Sequence, residues 1–198
     1  QERGSIFQSS SDSECIIHLM ARSLQRNIPE RMEDALRRVE GAFSIVAMTR
    51  SKLIGVRDPR GVRPLVLGKV GDGFALSSET CALDIIGAEF VRDVEPGEMV
   101  VISNNGIESI FPFRRQNSKF CIFEHVYFSR PDSIIHGQSV YETRRRIGVE
   151  LAKESPVDAD LVCPVPDSGT PAAIGFSQQS GIPCLLYTSP SPRDIPLS

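Results

Sequence analysis

The sequence predicts an antiparallel α+β unit over residues 1–112, followed by the opening of a parallel α/β unit over residues 121–183. Three observations predict this. From Ala42 to Phe111 the apolar residues recur with a period of two, in short runs broken by turn residues. Two stretches of helical period precede that meander. Past a polar, irregular stretch at 113–120, an extended run, an amphipathic helix and a strand–loop–helix unit alternate, as they do in parallel folds.

The elements follow in order. Ser11-Asp12-Ser13-Glu14 has the S-x-x-E pattern of a capping box, with Ser11 as N-cap and Glu14 reaching back. Ile16, Ile17, Met20 and Leu24 then carry a helix to about Arg26. A second helix opens at Pro29, sets Met32, Leu36 and Val39 on one face, and stops at Gly41. Seven strands are expected: Phe43–Met48, Leu53–Arg57, Leu65–Lys69, Phe74–Ser78, Phe90–Val94, Glu98–Ile102 and Ile107–Phe111. Asn104-Asn105-Gly106 is a hairpin signal between the last two. Thr80–Ile86 reads as a short helix interrupting the meander. Cys121–Phe128 reads as extended and Val140–Glu154 as an amphipathic helix.

Composition limits the function classes. A 198-residue chain with 40% apolar and 24% charged residues is long enough to bury a real core. A net charge of -3 offers no basic field for nucleic acid or an anionic membrane. Arg144-Arg145-Arg146 falls within a helical pattern and reads as a solvated face. No apolar run approaches the length of a membrane span. No signal peptide opens the chain, although its start looks cut. Five scattered cysteines without CxxC spacing point to free thiols in a reducing, cytoplasmic setting.

The residues Asp160 to Phe176 carry the most chemistry. Leu161–Val165 reads as a strand covered on both faces, Asp167-Ser168-Gly169-Thr170 as a tight loop, and Pro171 as the first helical residue after a Thr170 N-cap. Gly169 permits a positive φ or a close ligand approach. Such a loop turns free N–H groups and the positive end of a helix, roughly half a charge, toward an anion. It is a candidate phosphate site. A plain βα turn with no ligand accounts for the same four residues.

Other residues draw structural readings. Arg57, Asp58 and Arg63 lie among Pro59, Gly61 and Pro64, so they belong to a folded loop rather than to chemistry. Cys15 and Cys81 read as core thiols without a histidine base. His18, His125 and His136 are lone imidazoles without ligand spacing.

Two blocks carry a resemblance. Arg57-Asp-Pro-Arg-Gly-Val-Arg-Pro-Leu65 with Ser78-Glu-Thr-Cys-Ala-Leu-Asp84 resembles the glutaminase domain of class II glutamine amidotransferases. Cys121-Ile-Phe-Glu-His-Val-Tyr-Phe-Ser-Arg-Pro-Asp-Ser133, Ser139-Val-Tyr-Glu142 and Pro166-Asp-Ser-Gly-Thr-Pro-Ala172 narrow it to the amidophosphoribosyltransferase family, over about Gly4 to Pro183. The resemblance implies an N-terminal nucleophile glutaminase fold of αββα layers, truncated, followed by the start of a type I phosphoribosyltransferase domain. Residues 1–112 would be the C-terminal part of the first and 121–183 the N-terminal part of the second. Residues 113–120 would link them, and 184–198 would be a disordered, non-family tail.

The implied reaction converts phosphoribosylpyrophosphate, glutamine and water to 5-phosphoribosylamine, glutamate and pyrophosphate, at the start of purine synthesis. By the same resemblance Asp12 would hold the α-amino group of glutamine, which a carboxylate does well; a helix N-terminal charge is its other role. Asp167, Ser168, Gly169 and Thr170 would form the pyrophosphate loop, with Ser168 near Mg²⁺. Cys121 would be a ligand in those members that carry a 4Fe–4S cluster, which needs four thiolates. The full-length protein would be a cytoplasmic homo-oligomer acting on glutamine and phosphoribosylpyrophosphate.

The chain also departs from the family pattern. The family nucleophile is an N-terminal cysteine whose own amine is the base, and this sequence opens Gln1-Glu2-Arg3. A Val-Asp-Asp phosphoribosyl-binding loop is missing too. A fragment without glutaminase or synthase turnover is therefore expected, with residues 121–183 loosely held. Two alternatives stay open: the glutaminase half of another class II enzyme, such as asparagine synthetase, and a non-catalytic phosphoribosyl-binding module.

Overall fold

A computed structural model describes residues 6–114 and 116–186. The chain divides into two compact units, Gln1–Leu67 with Arg92–Phe120, and Gly68–Val91 with Cys121–Ser198.

The first unit is a helical layer on a sheet. Helices α1 (Ser13–Arg22) and α2 (Ile28–Leu36) precede strands β1 (Ser44–Met48) and β2 (Lys52–Arg57). Strands β3 (Val66–Val70), β4 (Gly73–Ser77) and β5 (Glu89–Asp93), which fall mostly in the second unit, form a three-stranded sheet in the order β4-β3-β5. Strands β6 (Met99–Ser103) and β7 (Gly106–Ile110) complete a four-stranded antiparallel sheet, β1-β2-β6-β7. Each of the seven expected strands lies within one residue of its expected bounds. Ser103 pairs with Gly106, so Asn104-Asn105 is the two-residue hairpin turn the sequence called for.

Strand alternation sends Ile54, Val56, Met99 and Val101 to one face, where Met32 and Leu36 of α2 meet them. All six are buried, and each such side chain contributes roughly 1.5–3 kcal/mol relative to exposure. Asn27 caps α2 by accepting from the Glu30 amide at 3.0 Å, with Pro29 in the first turn. Both helices are shorter than expected, ending at Arg22 and Leu36.

The second unit holds α3 (Thr80–Ile85), a π-helical turn (Glu124–Phe128), a small hairpin β8–β9 (Ile134–Ile135 and Gln138–Ser139), α4 (Val140–Glu154) and α5 (Thr170–Ser180). Ser139 caps α4 through the Glu142 amide. The two long helices cross at backbone contact. A Cβ on Gly148 would collide with the Ala172 carbonyl, and one on Gly175 with the Arg145 carbonyl. Only glycine allows this approach.

Several expectations are corrected here. Cys121–Phe128 is not extended; residues 124–128 wind into a π-helical turn because Arg144, inserted beside it, holds the carbonyls of His125 and Ser129. Arg144 is therefore buried, at 3% exposure, and not part of a solvated face. Cys15 is exposed rather than a core thiol, whereas Cys81 is buried as expected. Leu161–Val165 is not a covered strand: Val162 makes one parallel bridge to Cys184, and Val165 is 81% exposed. Among the described residues that bridge is its only ladder partner, and while Val162 and Pro164 are half-buried, Leu161, Cys163 and Val165 are exposed. Of the tail expected to be disordered, 187–198 lies outside the described residues. Leu185, at its start, donates to the Val162 carbonyl.

Candidate functional site

The first unit presents Asp12 at the N-cap of α1, in helical φ/ψ, exposed, with no side-chain capping bond. The expected capping box does not form. Glu14 reaches past Ser11 to accept from the Gln8 amide at 2.8 Å, the Ser9 amide at 2.9 Å and the Ser9 hydroxyl. The Ser9 hydroxyl and the Gln8 amide hold the Glu14 carboxyl down at about 2. His18, one turn along, lies 3.5 Å from the same carboxylate and meets Phe7 edge-on at 4.7 Å. The exposed Asp12 carboxylate at a helix N-terminus is thus available to a cationic group.

Arg57 and Asp58 build the loop beside this sheet, as their Pro/Gly surroundings implied. Arg57, 1% exposed, donates to the carbonyls of Arg63 at 2.7 Å, Val94 at 2.7 Å and Gly61 at 2.8 Å. Burial pulls the guanidinium pKa down from its usual value, against the nearby charge of Asp93. The Asp58 carboxylate accepts the amides of Arg60 and Val62. Every one of these bonds holds backbone.

In the second unit the Asp167–Thr170 loop leads into α5. Its helix starts one residue earlier than expected, with Gly169 as N-cap and Thr170 already helical. Gly169 has φ −77. Its need for no side chain comes from a close approach, since a Cβ would sit 2.6 Å from the Val165 carbonyl oxygen. Two loop amides are engaged internally: Gly169 donates to Val165 at 3.1 Å and Thr170 to Asp167 at 3.2 Å. The amides of Asp167 and Ser168 donate to no described residue. Two of the four loop amides thus have a described partner and two do not. Cys121 is half-exposed, and among the described residues no three His, Cys, Asp or Glu side chains come together as a metal site.

Two residues that organise the second unit escaped the sequence. Glu79 accepts the Arg130 amide at 2.8 Å and the Ser133 hydroxyl at 2.7 Å, while the adjacent Thr80 hydroxyl accepts the Ile134 amide at 2.8 Å. These bonds tie the block at 78–84 to the block at 121–133. Arg144 is the other. Its signal was present, because Val140, Arg144, Gly148 and Ala152, the buried residues of α4, repeat every fourth position. His125 is buried beside it, and its imidazole pKa is lowered by burial first and then by His136 and Arg144.

Residues 1–84 match the family described as glutamine amidotransferase domain. Amidophosphoribosyltransferase of Rhizobium etli is 54% identical over 185 residues, covering 91% of this chain and 37% of that protein. The chloroplastic amidophosphoribosyltransferase of Glycine max is 48% identical and the Bacillus subtilis enzyme 44%, each over about nine-tenths of this chain. The chain spans about a third of the length of these relatives. Among solved structures, one titled as the allosteric regulatory enzyme of purine biosynthesis aligns with a TM-score of 0.89 at 44% identity, over 93% of this chain and 40% of that one. Glutamine phosphoribosylpyrophosphate amidotransferase from B. subtilis, complexed with ADP and GMP, aligns with a TM-score of 0.91 at 41% identity, over 100% of this chain and 44% of that one. At such identity the shared backbone is that of an N-terminal nucleophile glutaminase part, and the chain belongs to the amidophosphoribosyltransferase family.

Proposed function

We propose that this chain is part of an enzyme that converts phosphoribosylpyrophosphate, glutamine and water to 5-phosphoribosylamine, glutamate and pyrophosphate, and that the 198 residues alone turn over neither substrate. The observation that carries the reading is coverage. Relatives of that name match about nine-tenths of the chain, so the resemblance includes both the block at 57–84 and the one at 121–133. In this reading residues 1–112 are glutaminase, 113–120 a linker and 121–183 transferase.

Asp12 pairs with the α-ammonium of glutamine; its exposed carboxylate, which caps no backbone amide, supports that role. The Asp167 and Ser168 amides, with the positive end of α5 behind them, receive pyrophosphate oxygens. Ser168 offers a half-buried hydroxyl on the same loop, a hard oxygen suited to Mg²⁺ accompanying the diphosphate. Magnesium there would screen the charge that builds on the leaving group. In a full-length parent that carries a 4Fe–4S cluster, Cys121, half-exposed here, would supply one of the four thiolates needed; among the described residues no metal-binding group forms around it. The compartment proposed is cytoplasmic, although some relatives are named chloroplastic.

Glutamine-dependent release of pyrophosphate from phosphoribosylpyrophosphate by the full-length enzyme containing this sequence is the test. Its absence there, or glutamine hydrolysis by the 198-residue chain alone, would refute the reading.

A further inference from the structure

We propose that Glu14 is a positioning residue for Asp12: it folds residues 8–11 back onto the first turn of α1 and so fixes where an incoming α-ammonium is met. The inference rests on the reading of Asp12 as the partner of that group.

One carboxylate organises the whole approach to the helix. Oε1 accepts from the Gln8 amide and Oε2 from both the amide and the hydroxyl of Ser9. The Ser9 oxygen in turn accepts the Ser11 amide at 3.2 Å, and the Ser11 and Ser13 hydroxyls share a bond of 2.6 Å. This relay reaches the residues on both sides of Asp12, yet the Asp12 carboxylate takes none of these bonds. Its neighbours are fixed while its own oxygens stay available. The helix side is braced as well, by His18 against Oε1 and by Phe7 against His18.

Chemistry explains why a carboxylate is needed here. Three donors converge on two oxygens, and the amide of a glutamine offers only one acceptor oxygen, its nitrogen being a donor. Replacement by glutamine therefore breaks the contact to Gln8 or to Ser9.

Steady-state kinetics of the full-length enzyme containing this sequence separate the possibilities, with L-glutamine as the varied substrate and D12N, E14Q and S9A as variants. Synthesis supported by added ammonia, which bypasses Asp12, reports whether the remainder of each variant is folded. The expected result is a glutamine KM raised about tenfold in E14Q with kcat changed less than roughly twofold, as for loss of binding alignment without loss of chemistry. S9A moves in the same direction by less. An unchanged KM in E14Q beside a raised KM in D12N would overturn the role of Glu14 and leave Asp12 standing. An unchanged KM in D12N would overturn the reading of Asp12 itself. Loss of kcat and of ammonia-supported synthesis together in both E14Q and S9A would make the network merely structural, and would also overturn the proposal.

Discussion

Arg144 donates from Nε to the carbonyl oxygen of His125 at 2.6 Å, across nineteen residues of sequence and from inside the protein. A second bond, to the Ser129 carbonyl at 2.7 Å, closes the π-helical turn between those two residues. Burial lowers the guanidinium pKa, and Glu79 is the charge that offsets it. Replacing Arg144 with Met strips both carbonyls of their donor. The expected loss is about 2–4 kcal/mol of unfolding free energy, read as a lower urea midpoint. An R144M midpoint within error of wild type would show that the turn holds without it.

Gly148 is expected to be intolerant of even one methyl. The Cβ of an alanine would meet the Ala172 carbonyl, which is helix backbone and cannot rotate aside. G148A should destabilise the second unit by about 1–3 kcal/mol or more, despite alanine's better helix propensity. Thermal unfolding followed by circular dichroism checks this; a raised midpoint would mean that the helices part at no cost.

Acid should weaken the first unit through Glu98. Burial works against its charge, but bonds from Arg92 and Ser109 and the Glu95 amide win, so its carboxyl titrates below the ordinary 4.5. A folded-state pKa below the unfolded one adds stability that is present above pH 4.5 and lost as pH falls through the folded value. Urea unfolding of wild type is expected to lose stability below that point, and E98Q to show a flatter profile. Parallel profiles would remove Glu98 as a source of acid sensitivity.

Inorganic pyrophosphate offers a direct check of the loop. In ¹⁵N spectra of the chain it should move the amide signals of Asp167 and Ser168 more than those of Gly169 and Thr170, whose protons are held by Val165 and Asp167. G169A should abolish the response, since its methyl would press on the Val165 carbonyl. Equal shifts at all four amides would argue against a preformed cradle.

The legible parts of this chain were those set by local physics. Alternation gave the strands around Ile54, Val56, Met99 and Val101 nearly to the residue, since one buried face fixes the register. The two-residue turn at Asn104-Asn105 was readable for the same reason. Asp12 and the Asp167–Thr170 loop were named from motif, although neither capping geometry came out as expected: Glu14 chose Gln8 and Ser9 over Ser11, which no spacing rule encodes. Arg144 was misread because charge outweighed its place in a fourfold stripe. Glu79 was invisible because its donors lie more than fifty residues away. Leu161–Val165 looked like a core strand because composition reports what a segment could bury, not whether neighbours are there to cover it.

The Arg57 guanidinium has a consequence for how the first unit comes apart. It joins Gly61 and Arg63 on one segment to Val94 on another, more than thirty residues further along the chain. Neither segment can peel away without orphaning a buried cation, so fraying at one must drag the other with it. A protease that nicks near Pro64 should therefore find the stretch around Val94 opened in the same event, and the two cuts should appear with a single rate.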